Sequence, residues 1–139
     1  MKKYSLIFLV LLTMLGGCNT AQKNILDSGG ESQLKKRAMQ TRYFDTDDKK
    51  QTLQTVIATL QDLGFVVDKA SFELGSVSAT KLNGYRVRMT VVTRPRGTEQ
   101  TTVRASATYN IEPIEDPVIY QQFFDALSKS MFLAAHMEE

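Results

Sequence analysis

Tyr85-Arg86-Val87-Arg88-Met89-Thr90-Val91-Val92 and Val103-Arg104-Ala105-Ser106-Ala107-Thr108-Tyr109-Asn110-Ile111 are the stretches that decide the fold. In the first, Tyr85, Val87, Met89 and Val91 alternate with Arg86, Arg88, Thr90 and Val92. In the second, Val103, Ala105, Ala107, Tyr109 and Ile111 alternate with Arg104, Ser106, Thr108 and Asn110. A period of two places successive side chains on opposite faces of a strand. Pro95-Arg96-Gly97 supplies a turn between the runs, so the pair reads as a β-hairpin with one apolar and one polar face. The apolar face must be covered by something else in the chain.

Upstream, Leu53, Val56, Ile57, Leu60 and Leu63 recur at helical spacing. Asp45 and Thr46 offer N-cap oxygens, with Asp47 and Asp48 in a first turn where the helix dipole favours negative charge. Gly64 suits the C′ position that ends such a helix. Gln40 to Phe44 before it reads as a strand, as do Phe65 to Asp68 and Gly75 to Lys81 after it. Downstream, Asp116-Pro117 pairs an N-cap with proline at N1. Tyr120, Phe123, Phe124, Leu127, Met131 and Ala134 then mark a wide apolar stripe on a helix running to about His136. The predicted order is β-α-β-β-β-β-α. It implies an α+β two-layer sandwich, a mainly antiparallel sheet with two helices on one face.

The chain begins differently. Lys2 and Lys3 precede an apolar run from Leu6 to Leu15, followed by Gly16-Gly17-Cys18. A basic n-region, a short h-region and small residues beside a cut describe a secretory signal, and the run is too short for a bilayer-spanning helix of roughly 20 apolar residues. Cys18 is the only cysteine. The segment resembles the lipobox of bacterial lipoproteins, which implies a signal peptide over residues 1–17 and acylation of Cys18 as the first mature residue. Two or three acyl chains would anchor the chain permanently, since each buried methylene contributes about 0.8 kcal/mol. In Gram-negative lipoproteins an Asp after the lipidated Cys favours retention at the inner membrane. Asn19 stands there instead, so the resemblance implies an outer-membrane protein whose domain faces the periplasm; the outer face of a single membrane is the alternative. Residues 18–36 read as a flexible tether, polar and containing Ser28-Gly29-Gly30, with a short helix around Leu34 to Met39 as the alternative. Residues 37–139 form one domain.

The 139 residues carry 17 basic and 15 acidic side chains; Lys2 and Lys3 are the only charges in the signal, and their removal leaves 15 of each sign. A neutral domain gives no ground for a nucleic-acid partner. Acylation of the one cysteine leaves no disulfide, so the core must hold the fold. His136 is the only histidine and has no cysteine or second histidine to share a metal. There is no Gly-x-Ser-x-Gly elbow and no phosphate-binding glycine loop. Asp47-Asp48 and Glu115-Asp116 are explained as helix starts. The sequence thus predicts no catalytic residues, metal or cofactor, and a non-enzymatic protein.

Arg86, Arg88 and Arg104 alternate with the apolar set of the hairpin and belong to its polar face, with Arg94 and Arg96 near the tip. A planar guanidinium binds carboxylate or phosphate through two hydrogen bonds. These five residues are the candidate partner-binding site, an electropositive platform; a solvated face that discourages edge aggregation is the alternative.

Gln40-Thr41-Arg42-Tyr43-Phe44-Asp45-Thr46, Leu60-Gln61-Asp62-Leu63-Gly64-Phe65 and Glu112-Pro113-Ile114-Glu115-Asp116-Pro117, continuing through Tyr120, Phe123-Phe124 and Leu127-Ser128-Lys129, resemble a family of small, largely uncharacterised proteobacterial outer-membrane lipoproteins. A helix ending in Leu-Gly-Phe, then a strand and a Leu-Gly turn into a second strand, is also similar to the α/β domains of outer-membrane assembly lipoproteins, including the C subunit of the β-barrel assembly machine. These resemblances imply a lipid-anchored accessory or scaffold subunit of an envelope assembly, secretion or efflux complex, with a protein partner. A binding module for an envelope ligand such as peptidoglycan or lipopolysaccharide is the second expectation.

Overall fold

The computed structural model describes residues 32–82 and 84–137. The expected signal peptide, Cys18 and most of the expected tether lie outside the described residues. From Lys35 onward the chain forms a compact unit. Helix α1 covers residues 32–40, followed by β1 (Thr41–Phe44), α2 (Lys49–Asp62), β2 (Val66–Ser71), β3 (Ser76–Leu82), β4 (Arg86–Arg96), β5 (Gln100–Tyr109), β6 (Glu112–Pro113) and α3 (Pro117–Met137). The class is α+β, with three helices and an antiparallel six-strand sheet among the described residues. Its strands run β1-β5-β4-β3-β2, and β6 joins the outer edge of β5.

Two elements differ from the expected order. Residues 32–36, read as the end of the tether, are helical. Gln33, Leu34, Lys35, Lys36, Arg37, Ala38 and Met39 are all good helix formers, Met39 packs against the core, and Lys36 forms an ion pair with Glu115. The second addition, β6, is a two-residue pairing of Glu112 and Pro113 with Tyr109 and Thr108. The hairpin tip also sits later than expected. Pro95 pairs with Thr101 inside the ladder, and the turn is Gly97-Thr98-Glu99. Proline is tolerated there because β3 stops at Ser76, opposite Val92, and leaves that edge of β4 free.

The hairpin register places Val87, Met89, Val91 and Thr93 on the same face as Val103, Ala105 and Ala107. β3 adds Val77 and Ala79. All of these except the buried Thr93 join Leu53, Val56 and Leu60 of α2 and Tyr120, Phe123, Phe124 and Leu127 of α3 in one buried hydrophobic cluster. Each large side chain so buried contributes roughly 1.5–3 kcal/mol relative to exposure. This core lies between Leu53 and Leu127, inside the unit that starts at Lys35, so that unit carries a core of its own.

The helix ends explain how α2 is held. Its N-cap is Asp48, whose side chain accepts from Gln51 N at 2.8 Å, not the expected Asp45 or Thr46. Thr46 instead accepts from Asp48 N, and Asp45 accepts from Gln100 Nε2. At the other end Phe65 N donates to Leu60 O and Gly64 N to Gln61 O, both at 2.9 Å, with Gly64 at φ +82°. This is a Schellman motif, the ending for which the Leu63-Gly64-Phe65 sequence is suited. The buried stripe of α2 is rotated toward Thr52, Thr55 and Thr59. Each hydroxyl donates to the carbonyl four residues earlier, which satisfies it inside the core.

One core hydroxyl closes the sheet edge. β1 covers Thr101 to Arg104 of β5 and β6 covers Thr108 and Tyr109. The buried Tyr120 hydroxyl lies between them: it accepts from Ala107 N at 3.2 Å and donates to Ile114 O at 2.8 Å, while Ile114 N donates to Ala107 O.

Candidate functional site

The face of the sheet opposite the buried cluster carries all five arginines singled out in the sequence. Arg86, Arg88, Arg94 and Arg96 share one parity on β4, and Arg104 lies across from Val92 on β5. All five are exposed. Between them lie Thr90, Ser106 and Thr108, and β3 contributes Ser76, Ser78 and Thr80. The face is therefore a field of short hydroxyls punctuated by guanidinium groups.

The arginines do not form one cluster. Arg88 and Arg94 are six residues apart on a strand that rises about 3.3 Å per residue, roughly 20 Å. One group, Arg86 and Arg88, occupies one end of β4; the other, Arg94, Arg96 and Arg104, occupies the end beside β1 and the hairpin tip.

Three of the five are engaged within the protein. Arg88 Nε lies 3.8 Å from Asp68 Oδ2, and the same carboxylate oxygen accepts from Thr80 Oγ1 at 2.7 Å. Arg94 donates to Leu74 O at 2.6 Å, tying the β2–β3 turn to the sheet. Arg96 lies over the Tyr43 ring, 3.8 Å from its centroid, a contact of about 0.5–1 kcal/mol at an exposed site. Arg86 and Arg104 have no ion pair or side-chain hydrogen bond among the described residues.

Arg104 also lines a broad, shallow concavity of about 560 Å³ with Arg37, Ala38, Thr41 and Tyr43. Thr41 pairs with Arg104 across the β1–β5 ladder, so both stand on the open face, while Arg37 comes from α1. Sequence reasoning missed Arg37 because its neighbourhood depends on where β1 pairs. Arg42, by contrast, pairs with Val103 and turns to the core side, where its guanidinium lies 5.0 Å from the Phe124 ring centroid.

On this face the described strands place five arginines and Lys69, opposite Ser78, against Asp68 as the one carboxylate. Positive charge is thus segregated to one side of the sheet in a chain that carries 17 basic and 15 acidic side chains in all. Such a surface attracts anionic partners through a potential screened over about 8–10 Å at physiological salt. Among the described residues no three His, Cys, Asp or Glu side chains converge as metal ligands, and no helix is long and apolar enough to cross a membrane. A comparison with protein-family models and with curated proteins gives no match.

Proposed function

We propose that the chain is a lipid-anchored envelope protein, tethered through Cys18 to the outer membrane with its domain in the periplasm, and that it acts as a non-enzymatic accessory or scaffold subunit. Helices α2 and α3 cover one face of the sheet, and the opposite face docks an acidic surface of a larger assembly for secretion, efflux or outer-membrane biogenesis. The observation that carries this reading is the segregation of Arg86, Arg88, Arg94, Arg96 and Arg104 onto that one face. Arg86 and Arg104 are the residues most available for a carboxylate partner. A planar fork without an internal acceptor gains most from a new bidentate contact.

Two measurements test the proposal. Cells expressing the wild-type chain should incorporate labelled palmitate, and Cys18→Ser should abolish that label; an intact signal peptide in the mature wild-type protein would remove the anchoring half. Arg86→Gln combined with Arg104→Gln should leave the unfolding midpoint unchanged, because exposed substitutions usually shift stability by less than about 0.5 kcal/mol. The same pair should reduce recovery of envelope proteins crosslinked to the wild type, more at low salt than at high. Recovery that is unchanged at every salt concentration refutes the docking face.

A further inference from the structure

We infer that the domain holds a binding site for a medium-chain carboxylate, an acyl chain with its headgroup at Lys81, on the helix side of the sheet. The site is separate from the arginine face and does not depend on it. A cavity of about 220 Å³ opens where the end of α2, the ends of β3 and β4 and the first turns of α3 meet. Its walls are Leu63, Phe65, Val87, Met89, Ile119 and Phe123, and Lys81, Tyr85 and Gln122 also line it. Met89 and Phe123 are among the most buried side chains of the core, whereas Tyr85 and Gln122 are exposed. The cavity therefore runs from a polar mouth to an apolar floor.

Lys81 is the unusual residue there. In β3 it follows the parity of Val77 and Ala79 and pairs with Val87, a position on the core face where an apolar residue is the ordinary choice. Lys81 is half-buried, and its ammonium donates to Leu63 O at 2.8 Å and lies 5.8 Å from the Phe65 ring centroid. Among the described residues no carboxylate lies within 4 Å of it. The ammonium has three donors and no acceptor, and the carbonyl of Leu63 takes one. A half-buried cation without a counter-charge at the mouth of an apolar cavity is matched by an anion joined to an apolar chain, because the anion restores the charge balance and the chain fills the void.

Size narrows the class. The cavity is smaller than the roughly 300–1,000 Å³ that drug-sized ligands fill, and at the volume of about 30 Å³ that a water occupies in the liquid, close to that of a methylene, it holds roughly seven. Octanoate places seven carbons beyond its carboxyl carbon, whereas a palmitate chain would extend well past the floor. The Tyr85 ring, which packs at 5.1 Å against Tyr109, lines the exposed side of the cavity.

The fragment Lys35–Glu139, which contains the whole described core, serves for the test. Its Met89 methyl resonance is followed by NMR during titration with octanoate, 1-octanol and palmitate. Octanoate should shift it saturably and bind more tightly than octanol. Lys81→Gln should weaken octanoate by roughly ten- to a hundredfold, the loss of one charge-assisted hydrogen bond, with octanol affected little. Gln122→Trp, a change at an exposed position on α3, should block both and keeps the test available if Lys81→Gln does not fold. The proposal is overturned if millimolar octanoate leaves the Met89 methyl in place, if octanol matches octanoate, if palmitate outbinds octanoate, or if folded Lys81→Gln binds octanoate like the wild type.

Discussion

Replacing Tyr120 by Phe removes one oxygen from a side chain that is 1% exposed and isolates what that oxygen does. The ring and its packing stay, so no cavity term enters. The Ala107 N–H loses its acceptor, and because Ala107 is buried, water does not readily replace it. An unsatisfied buried donor costs about 1–3 kcal/mol. The Ile114 carbonyl loses its donor as well; Ile114 is only half-buried, so the second loss is closer to an ordinary hydrogen bond, about 1 kcal/mol. Together these predict a loss of about 2–4 kcal/mol. Urea unfolding of the fragment Lys35–Glu139 measures it. With a slope of about 2 kcal/mol per molar, the middle of the usual range for small domains, the midpoint should fall by roughly 1–2 M. Tyr85→Phe is the control, because that exposed hydroxyl has no hydrogen bond among the described contacts; it should change stability by less than about 0.5 kcal/mol. If Tyr120→Phe behaves like the control, the hydroxyl is not what closes the gap between β1 and β6.

Other substitutions address the remaining supports of the fold. Leu60→Ala on α2 and Phe123→Ala on α3 should each cost about 2–5 kcal/mol in the same urea measurement, since both are fully or almost fully buried in one cluster; losses under about 0.5 kcal/mol at both would mean that the helices do not pack there. Gly75→Ala should destabilise strongly although it adds one methyl: Gly75 sits at φ +61°, and a Cβ would lie 2.7 Å from the Thr93 carbonyl oxygen. That carbonyl belongs to the central strand and cannot move aside as a side chain would, so a cost of at least about 1–3 kcal/mol is expected from conformation alone. A neutral result would show that the β2–β3 turn is not pinned to β4.

The sequence carried the hairpin and both long helices because those signals are local, although the N-cap of α2 fell at Asp48 and not at the expected Asp45 or Thr46. Period-two alternation in Val87 to Val91 and Val103 to Ala107 fixed which side chains are buried, and Leu63-Gly64-Phe65 and Asp116-Pro117 marked helix ends where the structure has them. What escaped was decided by pairing at long range. The two residues of β6 have no strand signal of their own and exist because Tyr109 and Thr108 offer an open edge. Helix α1 has helix-forming composition but little apolar surface; Met39 against the core and Lys36 against Glu115 hold it. Alternation also overreached: Tyr85, Tyr109 and Ile111, counted with the apolar set, are substantially exposed because they lie at or beyond the ends of the ladder.

For the arginine face, parity alone told which side each guanidinium occupies, and it could not tell which of them are free. Arg88 depends on Asp68, a residue brought into range by the bulge between Val67 and Lys69 that interrupts β2. Arg94 and Arg96 depend on Leu74 and Tyr43, neither near them in the chain. The same long-range assembly separates two arginines that a sequence treats alike, Arg88 and Arg104, into one held by a carboxylate and one left to a concavity with Arg37. Lys81 shows the reverse case. Its alternation with Val77 and Ala79 already set a cation among inward-facing positions, a local rule broken in plain view, and such breaks are where a folded chain departs from packing alone. Its consequence needed the structure, because the cavity it guards is built from four elements that meet only after folding.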